Sequence, residues 1–129
     1  MSEIKEKIQL YPQQGKLPCA VAHYIAAELS VTPRQVGETA NGLQIRITQC
    51  QLGLFGYGQK GTANYKILSP MDPMPNDLAK DIRTAAHEGR ISCLKLWKIA
   101  TQYGLSRHVV GNAADTLGLK VTPCQLGCF

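Results

Sequence analysis

The chain has 129 residues, 44% of them hydrophobic and 18% charged, a composition that argues for a folded protein over a disordered one. Its net charge of +5 leans toward an acidic partner such as nucleic acid, and no apolar run approaches the roughly 20 residues of a membrane span. Five cysteines, an odd number, and an N-terminal MSEIKEKIQL without an apolar signal core argue against a secreted disulfide framework and make a cytoplasmic location the expectation.

In chain order, a candidate helix opens the sequence and includes Ile4 and Ile8. A second helix is expected over CAVAHYIAAEL (19–29), with Cys19, Ala22, Ala26 and Leu29 recurring on one apolar face. After the turn SVT, Thr32 is followed by Pro33 and, three residues on, by Gln35; this joins a capping box to a proline at the first helical position and starts a third helix that runs to about Leu43. LQIRITQC then has the β-branched residues of a short strand. The glycines and prolines of GYGQKGTANYKILSPMDPMP (56–75) mark a connector, within which TANYKIL is a further candidate strand. The pattern resumes with NDLAKDIRTAAHEG, capped by Asn76 and ended by Gly89. CLKLWKIATQY (93–103) follows with Ser92 as cap and Cys93, Leu96, Ala100 and Tyr103 as its stripe. Beyond the turn GLS, Ser106 caps a helix to about Leu117, and LGLKVTPC forms the last strand.

This resumption is a duplication. Shifted by 74 positions, the chain matches itself without a gap: Cys19 falls on Cys93, Ile25-Ala26 on Ile99-Ala100, Val36-Gly37 on Val110-Gly111, and CQLGLF (50–55) on CQLGCF (124–129). The units are roughly 2–55 and 76–129, which divides the chain into 1–55, the connector 56–75, and 76–129. The hexapeptide appears twice because it is the tail of each repeat.

The segments IAAELSVTPRQVGETANGLQI and IATQYGLSRHVVGNAADTLGLKV resemble helix-turn-helix units: Ala26 and Ala100 fill the small position of the first helix, Gly104 the turn, and Val36 and Val110 the docking position, while Ser30 departs from the usual glycine. The strand that follows resembles the winged variant. The resemblance implies a mainly α protein with short β-strands, built as two tandem winged-helix-like repeats, in which the second helix of each pair enters the major groove of double-stranded DNA. Carried over by position, the candidate DNA contacts are Thr32, Arg34, Gln35, Glu38 and Asn41, then Ser106, Arg107, His108, Asn112 and Asp115. Arg34 and Arg107 suit guanine, and Gln35 or Asn112 suits adenine. Lys16, Arg46, Arg90 and Lys120 flank the helices as candidate phosphate contacts. Gly37 and Gly111 lie either where the helix backbone approaches the groove or where helices pack closely. The units read two half-sites within one chain, or pack together and form a homodimer.

Helix-turn-helix units also serve as protein-interaction modules, and Glu38 and Asp115 would stand near phosphates and weaken attraction. The cysteines offer a third function, a metal or redox sensor, with Cys50, Cys124 and Cys128 as candidates, because each Gln-Leu-Gly turn could aim backbone amides at a thiolate. Against a metal, the matched cysteines stand 31 residues apart within each unit, unlike the close pairs of zinc fingers, and Cys19 and Cys93 fall on the buried stripe. No cofactor is therefore expected. No hydrolase, zinc-protease or phosphate-loop motif is present, and an enzyme is not expected.

Overall fold

The described residues, 2–11, 15–54, 57 and 71–128 in a computed structural model, form six helices and four short strands. Helix α1 (Ser2–Gln9) leads to β1 (Lys16–Pro18), α2 (Cys19–Leu29), α3 (Pro33–Gly42) and β2 (Arg46–Thr48). The same order returns as α4 (Asn76–Ala85), β3 (Arg90–Ile91), α5 (Cys93–Tyr103), α6 (Arg107–Thr116) and β4 (Lys120–Val121). The architecture is mainly helical with short strands. Among the described residues no helix is long and apolar enough to cross a membrane.

Local sequence explains the helix pairs. Helix α2 ends where Ser30 takes a left-handed φ of 55°, and α5 ends where Gly104 takes 64°. Bonds from Val31 N to Ala26 O (3.0 Å) and from Leu105 N to Ala100 O (2.9 Å) close the two turns. Thr32 Oγ1 accepts from Gln35 N at 3.1 Å while Thr32 N donates to Gln35 Oε1 at 2.8 Å, completing the capping box ahead of α3. Ser92 and Ser106 cap α5 and α6 by accepting from Lys95 N (3.1 Å) and Val109 N (3.3 Å).

The start of the second half differs from its sequence expectation. Helix α4 begins at Asn76, directly after Pro75, without a side-chain cap, and it stops at Ala85 instead of continuing to Gly89. Glu88 and Gly89 have consecutive left-handed φ values of 53° and 79°. They fold His87–Arg90 into a tight turn, with His87 N on Arg90 O at 2.7 Å and Arg90 N on His87 O at 3.0 Å. That turn delivers the chain into β3.

Strands β1 and β3 are not foreseen in the sequence, since two or three residues are too short to show an alternating pattern. β1 pairs in parallel with β2, Lys16 opposite Arg46, and β3 pairs in parallel with β4, Arg90 opposite Lys120. Each helix pair is thus the crossover between two parallel strands. The candidate strand at 62–68 and most of the connector lie outside the described residues.

Two apolar cores form, and each is completed by the tail of the other half. Ile4, Ile8, Leu17, Ala22, Ile25 and Val36 of the first half enclose Cys124 and Leu126. Leu78, Ile82, Leu96, Ile99 and Val110 of the second enclose Cys50 and Leu52. Both tail leucines are almost fully buried. Gly37 and Gly111 make the exchange possible: a Cβ on Gly37 would stand 1.9 Å from Leu126 O, and one on Gly111 would stand 2.0 Å from Leu52 O. Their open faces receive the opposite tail and are closed to a DNA groove.

Candidate functional site

Because Val36, Gly37 and Ala40 point inward, α3 presents Arg34, Gln35, Glu38 and Asn41 to solvent. Arg34 Nε lies 3.1 Å from Glu38 Oε1, one helical turn on, so part of its charge is neutralised in place. Thr32 and Gln35 are exposed, but the Thr32 hydroxyl and the Gln35 side-chain oxygen serve the N-cap.

Next to the helix pairs stand two matched cationic couples. Lys16 faces Arg46 in the β1–β2 register, Arg90 faces Lys120 in β3–β4, and all four are exposed. Like charges opposite one another across strands repel. The ion pairs among the described residues join Lys7 to Glu28, Arg34 to Glu38 and His87 to Glu88, and none relieves these couples.

Helix α6 is less open than α3. Ser106 is its cap, and Arg107 is held at the junction between the halves, its Cζ 3.6 Å from the centroid of the Trp97 ring and its guanidinium donating to Gln51 Oε1. His108 and Asn112 are half-buried and each already has a partner, whereas Asp115 is exposed. The candidate contacts of the two units are therefore not equally available: those of α3 face solvent, while Arg107 braces the interior.

Trp97 also meets His23, with ring centroids 4.2 Å apart and planes tilted by 44°. Residues 23 and 97 are equivalent under the 74-residue shift, so the approximate two-fold axis relating the halves passes between these rings. Burial, helped by the Arg107 charge, holds the His23 imidazole down at about 4 instead of 6.5. Between those values the unfolded chain takes up a proton that the folded chain refuses, so stability is expected to fall as pH drops from 6.5 toward 4. Urea midpoints at pH 7 and pH 5 test this: His23→Phe should narrow the gap between them, and an unchanged gap would assign the pH loss to other groups.

The four matched cysteines, Cys19, Cys50, Cys93 and Cys124, are buried, and Cys128 is exposed. Burial pushes the Cys19 thiol up to about 12 and the Cys93 thiol up to about 11, each opposed by a hydrogen bond from a tail, from Gln51 and Gln125 respectively. Burial also raises Cys50, against the amides of Leu54, Leu52 and Gly53. Cys124 goes the other way: the Cys128 thiol and the amides of Cys128, Leu126 and Gly127 bring it down to about 6 in spite of burial. The Gln-Leu-Gly turns thus do direct amides at sulfur, as the sequence suggests. What the sequence hides is that the tails also serve Cys93 and Cys19, Gln125 Nε2 donating to Cys93 Sγ at 3.5 Å.

Compared with known protein families, curated proteins and solved structures, the chain matches none.

Proposed function

We propose that this protein is a double-stranded DNA-binding transcriptional regulator that reads its site chiefly through α3. In this reading α2–α3 and α5–α6 are tandem helix-turn-helix pairs within winged-helix-like repeats, and the protein is not an enzyme. The observation that carries it is the exposed α3 face with uncompensated cationic couples at matched places in both halves. Two such couples cost repulsion unless a polyanion relieves them, and a duplex offers phosphates to both. Arg34 is the best-placed side chain for a base edge. Arg46, Lys16, Arg90 and Lys120 take phosphates, while Arg107 holds the halves in register.

The test is fluorescence-anisotropy binding to genomic duplex fragments at low and moderate salt. Arg34→Ala is expected to cost about 1–3 kcal/mol and to relax discrimination at one base position. Arg46→Ala or Lys120→Ala is expected to weaken all fragments alike and lower the salt slope by about one. Binding that is indifferent to all three substitutions overturns the proposal. It would favour a protein-interaction module, for which Leu10 and Tyr24, 70% and 56% exposed, offer an apolar contact surface.

A further inference from the structure

The outer stripe of α1 differs in kind from the matching place in the second half. Ile4 and Ile8 turn inward and are almost fully buried. That sends Glu3, Glu6, Lys7 and Leu10, spaced i, i+3, i+4 and i+7, to the other side of the helix. With Leu29 at the end of α2 these four line a cleft of about 340 Å³. At its edge Lys7 is ion-paired with Glu28, and the Tyr24 hydroxyl donates to the same carboxylate. The exposed Tyr24 ring is thereby held beside the cleft, on the same side as the exposed Leu10.

The duplication supplies an internal comparison. Under the 74-residue shift Leu10 falls on Thr84, Tyr24 on Lys98, Leu29 on Tyr103 and Glu6 on Lys80. In the second half Tyr103 and Gln102 of α5 both donate to Asp81 of α4, Gln102 at 3.4 Å, and these polar bonds tie the two helices together. Leu29, in the place of Tyr103, has no hydroxyl to offer. Two copies of one unit thus differ where they meet solvent, one surface polar and cross-bonded, the other apolar and open. The unit does not need Leu10 or Tyr24 in order to fold, since its second copy does without both. Exposed leucine and tyrosine gathered at a cleft mark a surface that a partner covers.

The charges select the partner. Lys7 is satisfied by Glu28, whereas Glu3 and Glu6 make neither ion pair nor hydrogen bond among the described residues. The unpaired charges of the cleft are therefore both carboxylates, on a chain whose net charge is +5. Phosphates are repelled there. In a two-fold dimer through this cleft, Glu3 and Glu6 of one copy would face those of the other, and like charges disfavour it. A cationic partner is attracted. The eight residues of α1 span about 12 Å, enough for two turns of a helix laid alongside. We propose that the cleft between α1 and α2 docks a basic amphipathic helix of a partner protein. Its aliphatic side chains seat between Leu10 and Leu29, and its lysines or arginines meet Glu3 and Glu6. None of these residues is among the candidate DNA contacts, so docking and DNA binding are separate properties.

The experiment uses the full chain and a fluorescein-labelled helical peptide with leucines at i, i+3, i+4 and i+7 and lysines on both flanks. A second peptide has glutamate for every lysine. Anisotropy reads the affinity, and amide chemical-shift changes locate it. The parent chain is expected to bind the lysine peptide and not the glutamate one, with shifts in α1 and the end of α2. Leu10→Ser is expected to weaken binding about tenfold. Glu3→Gln combined with Glu6→Gln is expected to weaken it about fivefold and to flatten its salt dependence. Leu94→Ser, which removes an exposed leucine from α5, should change nothing. All four side chains are exposed, and circular dichroism checks that the variants fold. The proposal is overturned if millimolar lysine peptide moves no α1 or α2 resonance, if both peptides bind alike, or if binding survives the Leu10 and glutamine variants. Sedimentation showing a dimer of the parent chain that Leu10→Ser dissolves would also overturn it, by making a second copy the occupant. No readout needs DNA, so docking and the DNA reading stand or fall separately.

Discussion

Gly111→Ala is expected to lower the free energy of unfolding by about 3 kcal/mol, and Gly37→Ala by a similar amount. The added methyl group would sit 2.0 Å from Leu52 O or 1.9 Å from Leu126 O, inside the contact limit of any atom pair, and the obstacle is backbone with no flexible end to swing aside. Either the tail withdraws, uncovering a leucine and a cysteine, or the helix shifts away from its own core. Gly42→Ala is the control. It lies at the end of α3 with nothing within 4 Å of the added carbon, and a helical alanine there is expected to be neutral or to stabilise by up to about 1 kcal/mol. Urea denaturation of the three variants checks the contrast. Equal midpoints for Gly111→Ala and Gly42→Ala would mean that the tails do not occupy these faces.

The second large effect concerns location as much as size. Leu52 belongs to the first half by sequence and to the core of the second half by contact. Leu52→Ala is expected to cost about 2–5 kcal/mol, the usual range for a fully buried leucine. Amide hydrogen exchange should show the lost protection first in α5 and α6, 40 or more residues downstream, and not in neighbouring α3. Leu126→Ala should do the reverse and loosen α2 and α3. Protection lost only in the half that carries the mutation would show that each half closes its own core.

Much of this architecture is legible from single residues. The 3.6-residue recurrence of Cys19, Ala22 and Ala26 marks α2 with its observed limits, and Thr32, Pro33 and Gln35 announce the start of α3 because capping is a local interaction. The matched glycines at 37 and 111 are visible too, but not their purpose. Their partners Leu126 and Leu52 lie 89 residues after one and 59 before the other, and no fixed period connects them. The same holds for the site. Arg34 and Arg107 look alike in the aligned repeats, yet one faces solvent and the other stacks on Trp97, since the tryptophan's counterpart in the first half is His23. Duplication reveals equivalence between positions; it does not reveal where the two copies touch or how they have diverged.

The crossed tails also set an order of events during biosynthesis. When a ribosome has delivered residue 54, every described helix and strand of the first half has been made, but the two side chains that plug its core, Cys124 and Leu126, lie about 70 residues further along the chain. The first half must wait, with Gly37 and its apolar surroundings open, until Leu126 emerges. The second half, by contrast, meets its plug ready-made. A protease that later cuts between the halves would not free them from each other, because each fragment would still hold its partner's plug.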